Sequence, residues 1–372
     1  MENVSMRILF VWRKYDRVVG GVERMSIALM NEMAKRGHDI FLLSWDRADA
    51  VSYYEMDPRI DWKKLDEGDS NVRAGWGLRL RRALKIRKIV KKIQPDIILA
   101  FMDGVFLSVR VSVMGLGIPV AEAERCSAAR FQFLSSKRYA GLIFQSLRLA
   151  KKITIQMESY KKDYPEYLHG RIVSIPNPVF QSTVQAYPEG EKGNKKYILS
   201  VGRLSYQKNY QVLLKAFAFL KNDFPEWYLR IIGEGESEAD LKKMTLDLGI
   251  ESHVEFLGAT KNVSAAYSAA HIFCLPSLWE GFPNALAEAL AHGLPAVGFS
   301  DCLGVCDLIG NENGILAKGK DDENSLAKAL RRLMEDDTLR AEIGKKAKKS
   351  MQTYSPEEIF NRWEQFFIKA IG

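Results

Sequence analysis

Two short stretches in the second half of the chain carry the residues best equipped to handle a charged substrate. Leu275 to Gly293 reads LPSLWEGFPNALAEALAHG and begins at the end of an apolar run. Pro283 suits the first turn of a helix, and Gly293 suits the residue just past its end. The turn Glu280-Gly281-Phe282-Pro283 then sits where backbone N–H groups and the positive end of a helix dipole point outward, a place for phosphate or polar sugar groups. Glu288 falls about five residues into that helix, roughly 7–8 Å along its axis. One carboxylate can then address a sugar while the other reaches a ribose. The second stretch, Val201 to Asn209, reads VGRLSYQKN and also runs from a strand into a helix. An arginine forks onto phosphate oxygens and a lysine adds a point charge, so Arg203 and Lys208 suit the charge that develops on a departing diphosphate.

Both stretches belong to an alternation of strands and helices. The second half predicts strands at Tyr197–Val201, Tyr228–Ile232, Val254–Leu257, Ile272–Leu275 and Pro295–Phe299. The first half predicts strands at Met6–Trp12, Ile40–Ser44, Ile97–Phe101, Ile118–Ala123, Lys152–Gln156 and Arg171–Pro176. Gly20-Gly21 marks a turn before a helix over Val22–Arg36, and residues 131–150 are mainly helical. Residues 45–75 are polar, with no firm element. Two doubly wound parallel sheets facing each other are expected. The boundaries predicted are a first domain over 1–180, a linker over 181–195 with Pro188, Gly190 and Gly193, a second domain over 196–354, and a closing amphipathic helix within 355–372.

At 372 residues the chain exceeds what one core usually supports. No apolar run approaches the roughly 18–20 residues of a membrane span, and the apolar stretch Ile8–Trp12 is too short for a signal-peptide core. A cytoplasmic enzyme is the expectation. The four cysteines, Cys126, Cys274, Cys302 and Cys306, form neither a zinc set nor a disulfide framework. The net charge of +8 is concentrated in the first half: residues 1–185 hold 31 Lys/Arg against 20 Asp/Glu. This half is expected to face something anionic. A helix over Leu78–Ile93 carries eight basic residues and no acid. Arg81, Lys85, Lys88 and Lys92 fall on one face, opposite Ala83, Ile86, Val90 and Ile93. The bland reading is a solvated face; the functional reading adds an anionic membrane surface. Nucleic acid is disfavoured, because no aromatic residues interleave with these charges.

Gly202-Arg203, Lys208 five residues on, and Glu280 and Glu288 with seven residues between them resemble the pattern of retaining glycosyltransferases of family 4, which have the GT-B fold of two Rossmann-like domains. The resemblance covers nearly the whole chain. Gly20-Gly21-Val22-Glu23 resembles the family's glycine loop near the donor phosphates, and Pro356–Ala370 resembles the helix that crosses back onto the first domain. The resemblance implies that Arg203 and Lys208 bind the diphosphate and Glu288 the ribose. It implies that Glu280, with Gly281, Phe282, Pro283 and Asn284, holds the donor sugar. The base would rest near Gly233–Gly235 and Gly258–Val263. Many members carry a histidine in the first domain. Here the stretch is Val120-Ala121-Glu122-Ala123-Glu124-Arg125-Cys126, closer to a variant in a branch acting on polysaccharide and oligosaccharide precursors. Glu124 and Arg125, with Asp103, are then the acceptor-side candidates.

The expected activity is transfer of a hexose or N-acetylhexosamine from a UDP-sugar to a lipid-linked oligosaccharide, lipopolysaccharide or polysaccharide precursor at the inner membrane face. No Asp-x-Asp motif is present, and no metal or other cofactor is expected. Alone, Glu288 among Ala285, Leu286, Ala289 and Leu290 would read as a polar helix edge, Gly20-Gly21 as a tight turn and Asp103 as a loop acid. His38 and His292 read as helix-end residues, and none of the five histidines is assigned to catalysis. The competing readings are a nucleotide-sugar epimerase or phosphorylase on the same fold, and a non-catalytic subunit that binds nucleotide sugars.

Overall fold

The computed structural model describes residues 5–70, 72, 74–133, 138–190, 195–260, 262–310, 312–319 and 321–372. Residues 191–194 of the expected linker, residues 134–137 of the expected helical stretch and Lys261 of the expected base site lie outside them. The chain divides into two compact units. One comprises Met1–Pro178 with Glu357–Gly372, and the other comprises Val179–Pro356.

The first unit is a parallel sheet of β1 (Arg7–Trp12), β2 (Asp39–Ser44), β3 (Asp61–Lys64), β4 (Ile97–Phe101), β5 (Val120–Ala123), β6 (Ile153–Ile155) and β7 (Ile172–Ser174). The spatial order is β3-β2-β1-β4-β5-β6-β7. Central strands covered on both faces must be apolar throughout, and β4 (IILAF) is buried at every residue. Residues 45–75 do contain an element: β3 (DWKK) is a polar edge strand, half-exposed along its length and, among the described residues, paired only with β2. Polar edges with lysine are how sheets avoid further pairing, and they leave no apolar signature. Asp103, expected just past a strand in a loop, instead opens a helix, Asp103–Ser112.

The closing helix, Pro356–Ile371, packs Ile359, Trp363, Phe366, Phe367 and Ala370 into the core of this unit. Phe367 meets Phe10 of β1 edge-to-face at 5.9 Å. Glu364 of the same helix accepts from Arg36 at 2.7 Å and lies 3.0 Å from His38 Nε2.

The second unit is a sheet of β8 (Lys196–Val201), β9 (Trp227–Ile232), β10 (Val254–Phe256), β11 (Ile272–Leu275), β12 (Ala296–Phe299) and β13 (Gly314–Ala317), in the order β10-β9-β8-β11-β12-β13. β13 was not expected from the sequence. Residues 181–190 pack on this unit: Ala186 N–H donates to the His292 carbonyl, and the fully buried Arg340 donates from Nε to Pro188 O at 2.7 Å.

Each sheet reverses its winding direction once, between β1 and β4 and between β8 and β11. In open α/β sheets the crevice outside the carboxyl ends of the strands at such a reversal is where ligands bind.

Candidate functional site

Both sequence stretches singled out above fall at the reversal of the second sheet. Gly202 to Asn209 follows β8, and Pro276 to Pro283 follows β11. The two loops are stitched together. Leu278 N–H donates to Gln207 O at 2.8 Å, and Gln207 Nε2 donates to Trp279 O at 2.7 Å. Between them, Lys208 Nζ donates to Glu280 Oε1 at 2.6 Å, with both side chains largely shielded from solvent. Asn209, at φ 53°, turns the chain out of the short Tyr206–Lys208 helical turn and into the Tyr210–Ala218 helix.

Arg203 stays at the rim. Its side chain is 73% exposed and touches Glu236 at 3.0 Å. A long exposed pair of this kind exchanges readily for a better anion.

Pro283 takes the position before the helix rather than its first turn: the helix runs Asn284–Ala291, with Gly293 just beyond it at φ 83°. Glu288 is the fifth helical residue, as the spacing implied. Its Oε2 accepts from Tyr267 Oη at 3.2 Å. His292 lies one turn on; its Nδ1 is 2.7 Å from Glu288 O and its Nε2 is 2.8 Å from Ser264 Oγ. These links bring the Val263–Ser268 helix beside Glu288. Phe282 is buried with its ring 5.8 Å from that of Tyr354.

The glycines of the neighbouring loops explain themselves sterically. A Cβ at Gly233 would lie 2.0 Å from Gly202 O, and one at Gly235 would lie 2.3 Å from Leu204 O. The loops after β8 and β9 therefore approach as closely as backbone allows. Gly233 N–H in turn donates to Gly258 O at 2.9 Å. The structure thus brings together Gly202, Arg203, Lys208, Gly233, Val263, Gly281, Phe282, Pro283, Asn284, Glu280 and Glu288 at one end of the second sheet. Gln207 and Tyr267, which sequence reasoning missed, hold this arrangement. Neither belongs to a recognisable spacing.

The remaining candidates lie in the first unit. Gly20 precedes the Gly21–Lys35 helix, and a Cβ there would lie 2.1 Å from Glu23 Oε2. Gly20 thus makes room for the buried Glu23, whose Oε1 accepts from Trp12 Nε1 at 2.8 Å. Glu124 follows β5 and is buried. Arg130 clamps it through Nη1–Oε1 at 2.9 Å and Nη2–Oε2 at 3.1 Å, and its Nη2 also lies 3.8 Å from Asp103 Oδ2. Arg130 was not among the sequence candidates.

Arg125 turns inward, with Nη2 donating to Thr154 Oγ1 at 2.7 Å and the guanidinium 5.3 Å from the Trp363 ring. Its Nε and Nη1, and both carboxylate oxygens of Glu122, are buried with no hydrogen-bond partner among the described residues. Burial, and then the charges of Glu124 and Asp103, hold the Glu122 carboxyl well above the usual range. Burial lowers Arg125 to about 10. Burial also raises Glu124, against the pull of Arg130.

Comparison with known proteins agrees with this arrangement of two α/β units. Residues 19–180 match the model of the Glycosyltransferase Family 4 domain, and residues 183–350 match that of Glycosyl transferases group 1. An uncharacterized glycosyltransferase of Haemophilus influenzae is 30% identical over 93% of this chain and 95% of its own. A Campylobacter jejuni enzyme named GalNAc-alpha-(1->4)-GalNAc-alpha-(1->3)-diNAcBac-PP-undecaprenol alpha-1,4-N-acetyl-D-galactosaminyltransferase is 28% identical over 92% of this chain and 94% of its own. The structure of Anabaena HepE in complex with UDP and glucose aligns with a TM-score of 0.78 at 18% identity, covering 97% of this chain and 99% of that one. The chain belongs to glycosyltransferase family 4 and has the GT-B fold class. It is a glycosyltransferase.

Proposed function

We propose that the protein transfers a hexose or N-acetylhexosamine from a UDP-sugar, with retention of configuration, to a lipid-linked oligosaccharide, lipopolysaccharide or polysaccharide precursor. The observation that carries this reading is the Lys208–Glu280 pair at the reversal of the second sheet, with Glu288 on the helix that follows. Arg203 and Lys208 take the diphosphate, Glu288 the ribose hydroxyls, and Glu280 with the Gly281–Asn284 backbone the donor sugar. On leaving, the nucleoside diphosphate gains negative charge, which the two cations stabilise in place. This arrangement supplies that charge without a metal, and metal-independent transfer is part of the proposal. The names of the Campylobacter relative and of the UDP-bound Anabaena structure support the acceptor and donor classes.

The acceptor belongs to the first unit, with Asp103 and Glu124 as the carboxylates nearest the ends of β4 and β5. The protein acts at the cytoplasmic face of the membrane, held peripherally by the Trp76–Ile93 helix. Among the described residues no helix is long and apolar enough to cross a membrane. Of the basic face, Arg81 and Lys85 lean toward Glu67 at 3.6 and 3.7 Å, while Lys88 and Lys92 stand exposed. Trp76, Leu80 and Leu84 are exposed on the same helix at four-residue spacing, which adds the apolar contact that interfacial helices use.

Thermal stabilisation by UDP-, GDP-, ADP- and CMP-sugars tests the donor site. A shift with UDP-sugars that disappears in Arg203→Ala is the expected result. A shift confined to another base overturns the UDP assignment, and no shift with any overturns the donor site.

A further inference from the structure

The closing helix carries more than its core face. Beside the buried side chains runs a second stripe, Glu358, Asn361, Arg362, Gln365 and Lys369, at the three- and four-residue spacing that places side chains along one side of a helix. That side borders β7. Between the two lies a groove of about 550 Å³, within the size range of small-molecule sites.

β7 is open to the groove because it is the edge of its sheet. Ile175 N–H, just past the strand, donates back to Ile155 O of β6 at 2.8 Å, so Ser174 before it turns its backbone groups to the open side. Arg362 Nη2 donates to the Ser174 carbonyl at 2.8 Å and pins the helix to this edge. The Ser174 N–H faces the same way, as a donor on the groove wall.

The lining divides by chemistry. Phe366 and Ile175 are buried and Val173 is half-buried, which gives the groove an apolar floor. Lys152, Arg362 and Lys369 bring three positive charges against one acid, Glu358. Lys152 donates to the Gly170 carbonyl at 3.3 Å. Among the described residues, none of the three cations has a carboxylate within ion-pair distance. Arg362 and Lys369 stand exposed at the mouth, so each alone attracts weakly through water. The combination is what selects a ligand: a guanidinium fork, two ammonium groups and an edge N–H around an apolar floor. Inorganic phosphate leaves that floor wet, and a neutral apolar molecule leaves the cations unused. A molecule with both an anionic head and an apolar body uses all of it.

The groove also has a particular place in the chain. The first unit ends its long segment at Pro178 and resumes at Glu357. Residues 173–175 come just before the first crossing, and residues 358–362 just after the second. A molecule bound here touches both and braces the closing helix against β7.

We propose that this groove is a second ligand site of the protein, for a small amphipathic anion: a phosphate or carboxylate head met by Arg362, Lys369 and Lys152, on an apolar body lying over Phe366 and Val173. The site is built from the first unit alone and is independent of the donor loops of the second.

The test is calorimetric titration with phenyl phosphate, with inorganic phosphate, benzyl alcohol and phosphatidylglycerol vesicles run beside it. Phenyl phosphate is expected to bind at least about ten-fold more tightly than inorganic phosphate or benzyl alcohol. Amide hydrogen exchange in residues 172–175 and 358–369 is expected to slow when it is bound. The Arg362→Ala/Lys369→Ala protein is expected to lose about ten-fold in affinity for phenyl phosphate while keeping its vesicle binding. Should the double variant fail to fold, Lys369→Glu alone carries the same expectation, because Lys369 is exposed.

No binding of phenyl phosphate, equal binding of phenyl phosphate and inorganic phosphate, or unchanged affinity in the variant overturns the assignment. Displacement of phenyl phosphate by UDP, with slowed exchange in residues 202–209 instead, gives the probe to the donor loops and overturns it too. Parallel loss of vesicle binding gives the cations to membrane headgroups and likewise overturns it.

Discussion

At the ends of β8 and β11 the charges are matched: the shielded Lys208 meets Glu280 at 2.6 Å, and the exposed Arg203 meets Glu236. At the ends of β4 and β5 a second group of charges is buried more deeply and matched less well. Arg130 serves both Glu124 and Asp103, while Glu122 keeps two buried oxygens and Arg125 two buried nitrogens with no hydrogen-bond partner among the described residues. The difference separates two uses of charge in one chain. A short, shielded lysine–carboxylate pair at the strand ends is where the proposed donor site would hold its diphosphate. A crowded buried cluster instead ties charge to the stability of its unit, and Arg130 is the residue that makes that cluster tolerable.

The largest effect expected is therefore on stability, in the first unit. Arg130→Ala leaves a buried carboxylate without its cation, and urea unfolding should show a loss of about 3–5 kcal/mol. A loss below about 1 kcal/mol would mean that Glu124 does not depend on this clamp. In the second unit the larger effect falls on turnover. Glu280→Gln preserves side-chain shape and an acceptor for Lys208, so the fold should persist while kcat drops roughly 10²–10³-fold. Equal kcat with a lowered melting temperature would reverse the contrast between the two regions.

The smallest effect is a pH dependence. Glu122 has a raised native pKa, so the native state holds its proton more tightly than the unfolded chain does. Stability from this group is present below the ordinary carboxylate value of 4.5 and is lost as pH rises from there toward the raised native value. Glu122→Gln should match the natural protein in melting temperature near pH 4 and exceed it at pH 8. An advantage that is greatest in acid would contradict the direction of the shift.

The legible parts of this molecule were those with a local signature. All-apolar β4 and β11 could be placed from the sequence, and Gly202-Arg203, Lys208, Glu280 and Glu288 stood out through their residue types beside predicted strands together with their resemblance to the family pattern. The polar edge strand β3 carries a single apolar residue, Trp62, and its existence depends on β2 beside it. The Arg130 clamp joins residues six apart across a turn, a separation at which no periodicity operates. The Trp76–Ile93 helix was readable on its buried side, where Ile86, Val90 and Ile93 pack. Its exposed Trp76, Leu80 and Leu84 look in sequence like any other apolar residues, and only the structure shows them uncovered.

The most direct test of the central claim is mass spectrometry of a polyprenyl-diphosphate-linked glycan after incubation with the protein and a panel of UDP-sugars. The account predicts that the acceptor gains the mass of one sugar with one or more UDP-sugars, and that Glu280→Gln abolishes most of the gain. Consumption or epimerisation of the nucleotide sugar with no change in the mass of any acceptor would contradict it.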